Sequence, residues 1–273
     1  MGELLQTGVC AAAVMATATS AGQTTVTLNA TAEATIFEDG SAIGVGQVFA
    51  GRSGNGQTRR GLVQFDLSAL PQGNVISATL SALVINQRGA ATLNAHRLLQ
   101  AWNEGPSAGG GSAGGIGVTS TPDDVTWTGT GLGGSWTNVG GDFEAVATDT
   151  QNATGSGNAV EFDVSSDVSL FADGLADNFG WIIISDFELL PRNVVGISTD
   201  EDGSIPITLT VTVAEAEPCL ADVNGDGELT PADFNAWVLA FNNQAPECDQ
   251  NGDTLCNPGD FNAWVLNFNA GCP

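Results

Sequence analysis

The sequence predicts a mainly β chain, a β-sandwich followed by a small α-helical unit, and three observations carry that expectation. Apolar and polar residues alternate along several segments of residues 24–216. Glycine-rich stretches at 105–117 and 129–141 interrupt those segments as loops. The last 55 residues instead hold a repeat in which an acidic loop leads into apolar residues at helical spacing.

From the N-terminus, residues 8–21 (Gly-Val-Cys-Ala-Ala-Ala-Val-Met-Ala-Thr-Ala-Thr-Ser-Ala) have the apolar core and small-residue end of a secretory signal, without the usual basic start. The expected parts are therefore a signal peptide at 1–21, a β-sandwich at 22–216 and a terminal module at 217–273. No stretch of roughly 18 apolar residues follows, so no membrane span is expected.

In the large region, Val63, Phe65 and Leu67 share one strand face. Ile76, Ala78, Leu80, Ala82 and Val84 alternate along a second strand, and Ile207, Leu209, Val211 and Val213 along a third. Phe179-Gly-Trp-Ile-Ile-Ile is apolar at every side-chain position, as a central strand is. The alignment of Val168, Phe171 and Leu175 predicts one short helix over 167–175. Many strands, few helices and Gly/Pro/Asn turns argue for a sandwich.

The terminal repeat is the sharpest signal. Asp222-Val-Asn-Gly-Asp-Gly and Asp249-Gln-Asn-Gly-Asp-Thr start 27 residues apart, and the segments from Pro231 and Pro258 agree at 10 of 12 positions. Side-chain oxygens at loop positions 1, 3, 5 and 12, with a carbonyl at position 7, are the ligand pattern of a calcium loop. Two calcium ions are thus expected, one on Asp222, Asn224, Asp226, the Glu228 carbonyl and Asp233. The other falls to Asp249, Asn251, Asp253, the Leu255 carbonyl and Asp260. Thr230 and Asn257 are good N-caps, each followed by a proline at the first helical position. Phe234, Trp237, Val238 and Phe241, like Phe261, Trp264, Val265 and Phe268, give each helix one apolar face. Pro218 and Pro246 argue against an incoming helix, so each unit is a loop plus one exiting helix.

Two loop–helix units ending in Gly271-Cys272 resemble the GC-type dockerin-like domain of some bacterial surface proteins, over residues 219–273. The resemblance implies calcium-dependent attachment to a cohesin-like or other cell-surface protein, with Val238, Leu239, Val265 and Leu266 as contact candidates. Thr254 stands where the second loop would have glycine. Val-Leu at 238–239 and 265–266 replaces the Lys-Arg often found in cellulosomal dockerins, so calcium binding carries over and a standard cohesin does not. Several phrases of the large region are similar to the DNRLRE-type module. They are Arg60-Gly-Leu-Val-Gln-Phe-Asp-Leu-Ser-Ala-Leu-Pro, Ala95-His-Arg-Leu-Leu-Gln-Ala-Trp-Asn-Glu-Gly, Trp136-Thr-Asn-Val-Gly-Gly-Asp-Phe and Asn178-Phe-Gly-Trp-Ile-Ile-Ile. That resemblance implies a jelly-roll-like, extracellular sandwich and, in some relatives, binding of acidic polysaccharides.

Net charge is −25, with six arginines and no lysine, a balance that repels nucleic acid and anionic membranes. Cys10 leaves with the signal. Cys219, Cys248, Cys256 and Cys272 remain in a module too small for a large core, which reads as two disulfides over a zinc site. Sequence leaves the connectivity open; the expected pairing is Cys219 with Cys272 and Cys248 with Cys256. His96 reads as structural. Glu104, Asp142, Glu144, Glu161 and Asp163 are candidates for a carboxylate pair, outweighed by the abundance of surface acids. Trp102 and Trp127 are expected to cap the core, and Trp136, in a glycine-rich loop, to be the exposed glycan-stacking candidate. The expectation is a secreted or cell-surface, non-enzymatic display or binding protein. A carbohydrate-binding protein is the alternative, and a glycan-degrading enzyme a more distant one.

Overall fold

Strands form where side chains alternate between a packed and a solvated face. A computed structural model of the chain describes residues 15–20, 22–109, 115–201, 205–215 and 219–272. The chain divides into two units, Met1–Ala214 and Glu215–Pro273. The larger holds β1 (Met15–Ser20), β2 (Gln23–Asn29), β3 (Ala32–Phe37), β4 (Ala42–Ile43), β5 (Val48–Arg52), β6 (Thr58–Gln64), β7 (Gly73–Arg88) and β8 (Thr92–Arg97). It continues through β9 (Asp149–Asn152), β10 (Ala159–Asp163), α1 (Ser165–Ala172), β11 (Trp181–Ser185), β12 (Asn193–Ile197) and β13 (Thr208–Glu215). Of the segment read as a secretory signal, only 15–20 falls within the described residues, as edge strand β1 beside β2.

The unit is a curled antiparallel sheet of 13 strands in the order β1-β2-β13-β7-β12-β5-β6-β11-β8-β9, with β10 on β7 and the β3–β4 pair on β6. The long strand β7 makes the curl possible. Residues 79–83 pair with β10 and 84–88 with β12, so one strand belongs to two stretches of sheet. The inward faces then share one core, in which Leu80, Val84, Phe65, Phe162, Trp181 and Leu209 are fully buried. Ala78, Leu80, Ala82 and Val84 line it as their alternation predicts, but Ile76 is exposed. The pattern slips between Val75 and Ala78, so Val75 packs against the core instead of Ile76.

β11 lies between β6 and β8 and is apolar on both sides for a reason. Trp181 and Ile183 enter the main core, while Ile182 faces a second cluster with Ile36, Leu62 and Leu98. Residues 98–148 form no regular strand among those described, yet they cover that second face with Trp102, Val125 and Trp136. Trp102 thus caps apolar surface as expected, and Trp127 packs beside it.

α1 is shorter than the spacing predicts. It ends at Ala172, before Gly174 at φ +66°, which leaves Leu175 exposed while Val168 is buried. The helix is pinned through Asp167. Its carboxylate accepts the Trp181 indole N–H at 2.8 Å and the Thr148 hydroxyl at 2.6 Å, and lies 3.2 Å from Arg97 Nε. Removing it strands two donors and a half-buried cation together. Asp167→Ala is therefore expected to lower stability by about 3 kcal/mol or more, read as a shift in urea midpoint; a loss within that of a surface substitution contradicts this role.

Candidate functional site

The terminal unit contains α2 (Pro231–Asn243), a 3-10 turn at Pro246–Cys248 and α3 (Pro258–Ala270). Each helix starts where its cap residue directs. Thr230 and Asn257 are extended and accept the amides of Ala232 and Gly259. In return Asp233 and Asp260 accept the cap residues' own amides, at 2.8 Å in both cases. These are complete capping boxes, each contributing about 1 kcal/mol.

The loops before the helices repeat most of their hydrogen bonds. In the first, Asp222 Oδ1 accepts the amides of Gly225 and Asp226 at 2.8 and 3.2 Å, and Oδ2 that of Gly227 at 2.9 Å. In the second, Asp249 accepts from Gly252, Asp253 and Thr254 at 2.8, 3.2 and 2.8 Å. Asn224 and Asn251 each accept the amide two residues on, at 2.9 Å. Asp226 and Asp253 accept those of Glu228 and Leu255. Short polar side chains that bond their own following backbone curl a chain tightly.

The position-12 carboxylates bond back to the loops, Asp233 accepting the amide of Asn224 at 3.4 Å and Asp260 those of Gln250 and Asn251. Asp233 and Asp260 are fully buried. Burial alone would raise their pKa, but the amides of Thr230 and Asn224, and of Asn257, Gln250 and Asn251, hold both below the usual carboxylate range. Both stay anionic at neutral pH. Asp249, Asp253 and Asp260 bring carboxylate oxygens within 4.8 Å of one another. An all-oxygen, anionic donor set fits a hard cation and not a soft one. The side chains that would hold it are those of Asp222, Asn224, Asp226 and Asp233, and of Asp249, Asn251, Asp253 and Asp260.

The two repeats interlock. Trp237, on α2, donates its indole N–H to the Cys248 carbonyl at the entry to the second loop; Trp264, on α3, donates to the Ala221 carbonyl at the entry to the first. Their rings stack at 6.4 Å. Disulfides Cys219–Cys272 and Cys248–Cys256 close loops of 53 and 8 residues. By chain entropy these contribute about 4 and about 2.5 kcal/mol, so the terminal link contributes more to stability.

Of the contact candidates, Leu239 and Leu266 are 62% and 70% exposed, and Val238 and Val265 are partly exposed. Phe234 and Phe261, expected on the buried face, are also exposed, with rings 6.0 Å apart. The expected exposure of Trp136 is corrected: it is 5% exposed and donates its indole N–H to the Thr126 carbonyl. The glycine-rich loop lies against the sheet's second apolar face, so the ring is core and not a stacking platform. His96 is structural, its Nδ1 2.8 Å from the Glu144 carbonyl oxygen.

The candidate carboxylates mostly stay apart. Asp142 binds the amides of Thr137 and Asn138, Glu144 pairs with Arg97, and Asp163 accepts the amide of Ser165 just ahead of α1. Glu104 alone meets others, converging with Glu33 and Glu201. Separations of 71 and 97 residues hide that cluster from any sequence motif. Burial, then the charges of Glu201 and Asp200, push the Glu104 carboxyl up to about 7, against a lowering hydrogen bond from the Glu33 amide. No family model matches the chain, and no curated protein matches it.

Two expectations follow from this geometry. Thr254 sits at φ +66°, where the first loop has Gly227 at +82°. A left-handed L-residue costs about 1–2 kcal/mol, partly offset by the greater unfolded-state freedom of glycine. Thr254→Gly should raise the stability of the terminal unit by a net of up to about 1 kcal/mol, and a loss on denaturant unfolding contradicts it. Between the ordinary glutamate pKa and about 7, the native Glu104 keeps a proton that the unfolded chain has lost. Stability of the larger unit should therefore fall as pH rises through that window, and this slope should flatten in Glu104→Gln. An unchanged slope in that variant assigns the effect to another group.

Proposed function

We propose that this is a secreted, non-enzymatic surface protein in which a β-module is attached to a cell-surface partner through a calcium-binding, dockerin-like C-terminal unit. The observation that carries this reading is the closely matched hydrogen bonding of two acidic loops, each closed by a buried aspartate at the start of a capped helix. One such loop is common among acidic turns. Two with matching hydrogen bonds, interlocked through their tryptophans, support paired ion sites. The disulfides fit an oxidising compartment. Exposed Leu239 and Leu266, one on each helix, offer apolar surface for such an attachment.

The test is a calcium titration of the full chain followed by capture from surface extracts. Two ions should bind, and Asp222→Ala should remove one. An ion at roughly 100 times its dissociation constant adds about 2.7 kcal/mol per site. Chelator should therefore lower the melting transition of the terminal unit and leave that of the β-module in place. Leu239→Asp with Leu266→Asp should abolish calcium-dependent capture without altering the titration. A chain that takes up no calcium ends the reading.

A further inference from the structure

The two repeats of the terminal unit reach one loop shape by different means. Each position-1 aspartate holds the amide at position 6 at nearly the same length, Gly227 at 2.9 Å and Thr254 at 2.8 Å. Glycine enters the left-handed region freely, and Thr254 does not. Something must hold the second loop in a turn that its own residue resists. The Cys248–Cys256 disulfide is placed to do so. Cys248 directly precedes position 1 and Cys256 directly follows position 7, so the bridge closes a ring around Asp249, Asn251, Asp253 and the Leu255 carbonyl, with Thr254 inside it. Of the expected donors, Asp260 alone lies outside the ring. In the first loop the same two positions hold Ala221 and Leu229, which cannot be linked.

The bridge also fixes the ring to the rest of the unit. Cys248 is 1% exposed, and its carbonyl accepts the Trp237 indole N–H at 3.2 Å. Cys256 Sγ lies 3.8 Å from the Phe241 carbonyl oxygen. Both ends of the ring thus rest on α2, the helix of the other repeat. The link holds the Cα atoms of the two cysteines 5.6 Å apart. Within this frame Asp249, Asp253 and Asp260 keep oxygens within 4.8 Å of one another. Among the described residues, the equivalent Asp222, Asp226 and Asp233 of the unbridged loop form no such group. Like charges at that distance repel, and a loop free to open would relieve the repulsion. A covalent ring resists the opening and keeps the donors together before an ion is bound.

We propose that the Cys248–Cys256 disulfide is a positioning element of the second ion site, so that this loop takes calcium tightly only in the oxidised chain while the first loop takes it in either state. The role presupposes that the loops bind calcium, as proposed above, and adds a difference between the two sites. Rigidity tunes the affinity of an oxygen-ligand loop, because donors already in place need no ordering when the ion binds. The first loop obtains its turn from Gly227, and the second obtains it from the bridge. Such a chain completes its second site only where the disulfide can form, in an oxidising compartment. Coupling is reciprocal, so an ion in the second loop makes the bridge harder to reduce by the factor that the bridge adds to affinity.

Calorimetric calcium titration of the full chain tests this in two backgrounds, Asp222→Ala to leave the second site alone and Asp249→Ala to leave the first. Into each is placed Cys248→Ala with Cys256→Leu, which gives the second loop the residues of the first at those positions. In the Asp222→Ala background the pair should weaken calcium binding about tenfold or more, the order expected when an eight-residue ring is opened. In the Asp249→Ala background it should change binding far less. An equal loss at both sites marks a general structural role, and an undiminished second site marks none. Either result overturns the proposal while the wild type still binds two ions. A wild type that takes up no calcium overturns the calcium reading and the proposal together. If the cysteine pair does not fold, the wild type is equilibrated with graded dithiothreitol, with calcium or with chelator, and its thiols are alkylated and located by mass spectrometry. Exchange breaks the S–S bond to two thiols as dithiothreitol is oxidised to its cyclic disulfide. Calcium should raise the dithiothreitol needed to open Cys248–Cys256 about tenfold or more, and by more than for Cys219–Cys272. An equal or absent rise overturns the proposal.

Discussion

The constraint on which this structure depends is an excess of carboxylates with few cations to pair them. Thirty-one acidic side chains face six arginines. The buried or half-buried acids are therefore satisfied chiefly by backbone amides. Asp124 holds the amides of Ser107 and Thr121, Asp142 those of Thr137 and Asn138, and Asp149 those of Thr150 and Asp163. All three are held below the usual carboxylate range because these donors, with side-chain partners, outweigh the effect of burial. Bonds of this kind span a few residues and shape loops. They explain how the described residues of 98–148, with only isolated bridges for regular structure, still keep a defined path over the sheet. The loops of the terminal unit apply the same solution more densely.

Where cations are used, they sit at places backbone donors cannot reach. Arg97 connects Glu144 on the loop side with Asp167 on α1, and Asp167 in turn holds the indole of Trp181 at the start of β11. Arg60 binds Glu188 across a separation of 128 residues. These few long-range ionic contacts tie the covering segments to the sheet. The pairing of an acid with the nearest amide is local by comparison, and it leaves the fold's long-range order to apolar packing and to the strand ladder.

That division also decides what was legible in the sequence. β7, β11 and β13 could be read because strand burial is written residue by residue in the alternation, and the doubly apolar run at 181–184 announced a sheet covered on both sides. What covers the outer side was not legible. Trp136 looks like a surface residue in a glycine-rich loop, and only the requirement of Ile36, Leu62 and Ile182 for a covering layer places it inside. The slip between Val75 and Ala78 and the end of α1 three residues early are local events that a periodic pattern passes over. The acidic loops were readable because their bonds are local and the motif appears twice. The convergence of Glu33, Glu104 and Glu201 joins three distant segments and has no such signature.

The exchanged indole bonds of the terminal unit bear on how such a module can arise. Trp237 finds its acceptor at the threshold of the second loop, and Trp264 at the threshold of the first. A lone loop–helix segment would hold a tryptophan whose N–H and one ring face have no partner. The smallest self-sufficient piece is therefore two segments, whether on one chain or on two. A single ancestral segment would have reached the same arrangement by pairing with its own copy. Duplication within one gene would then have converted an association that depends on concentration into one that is always present.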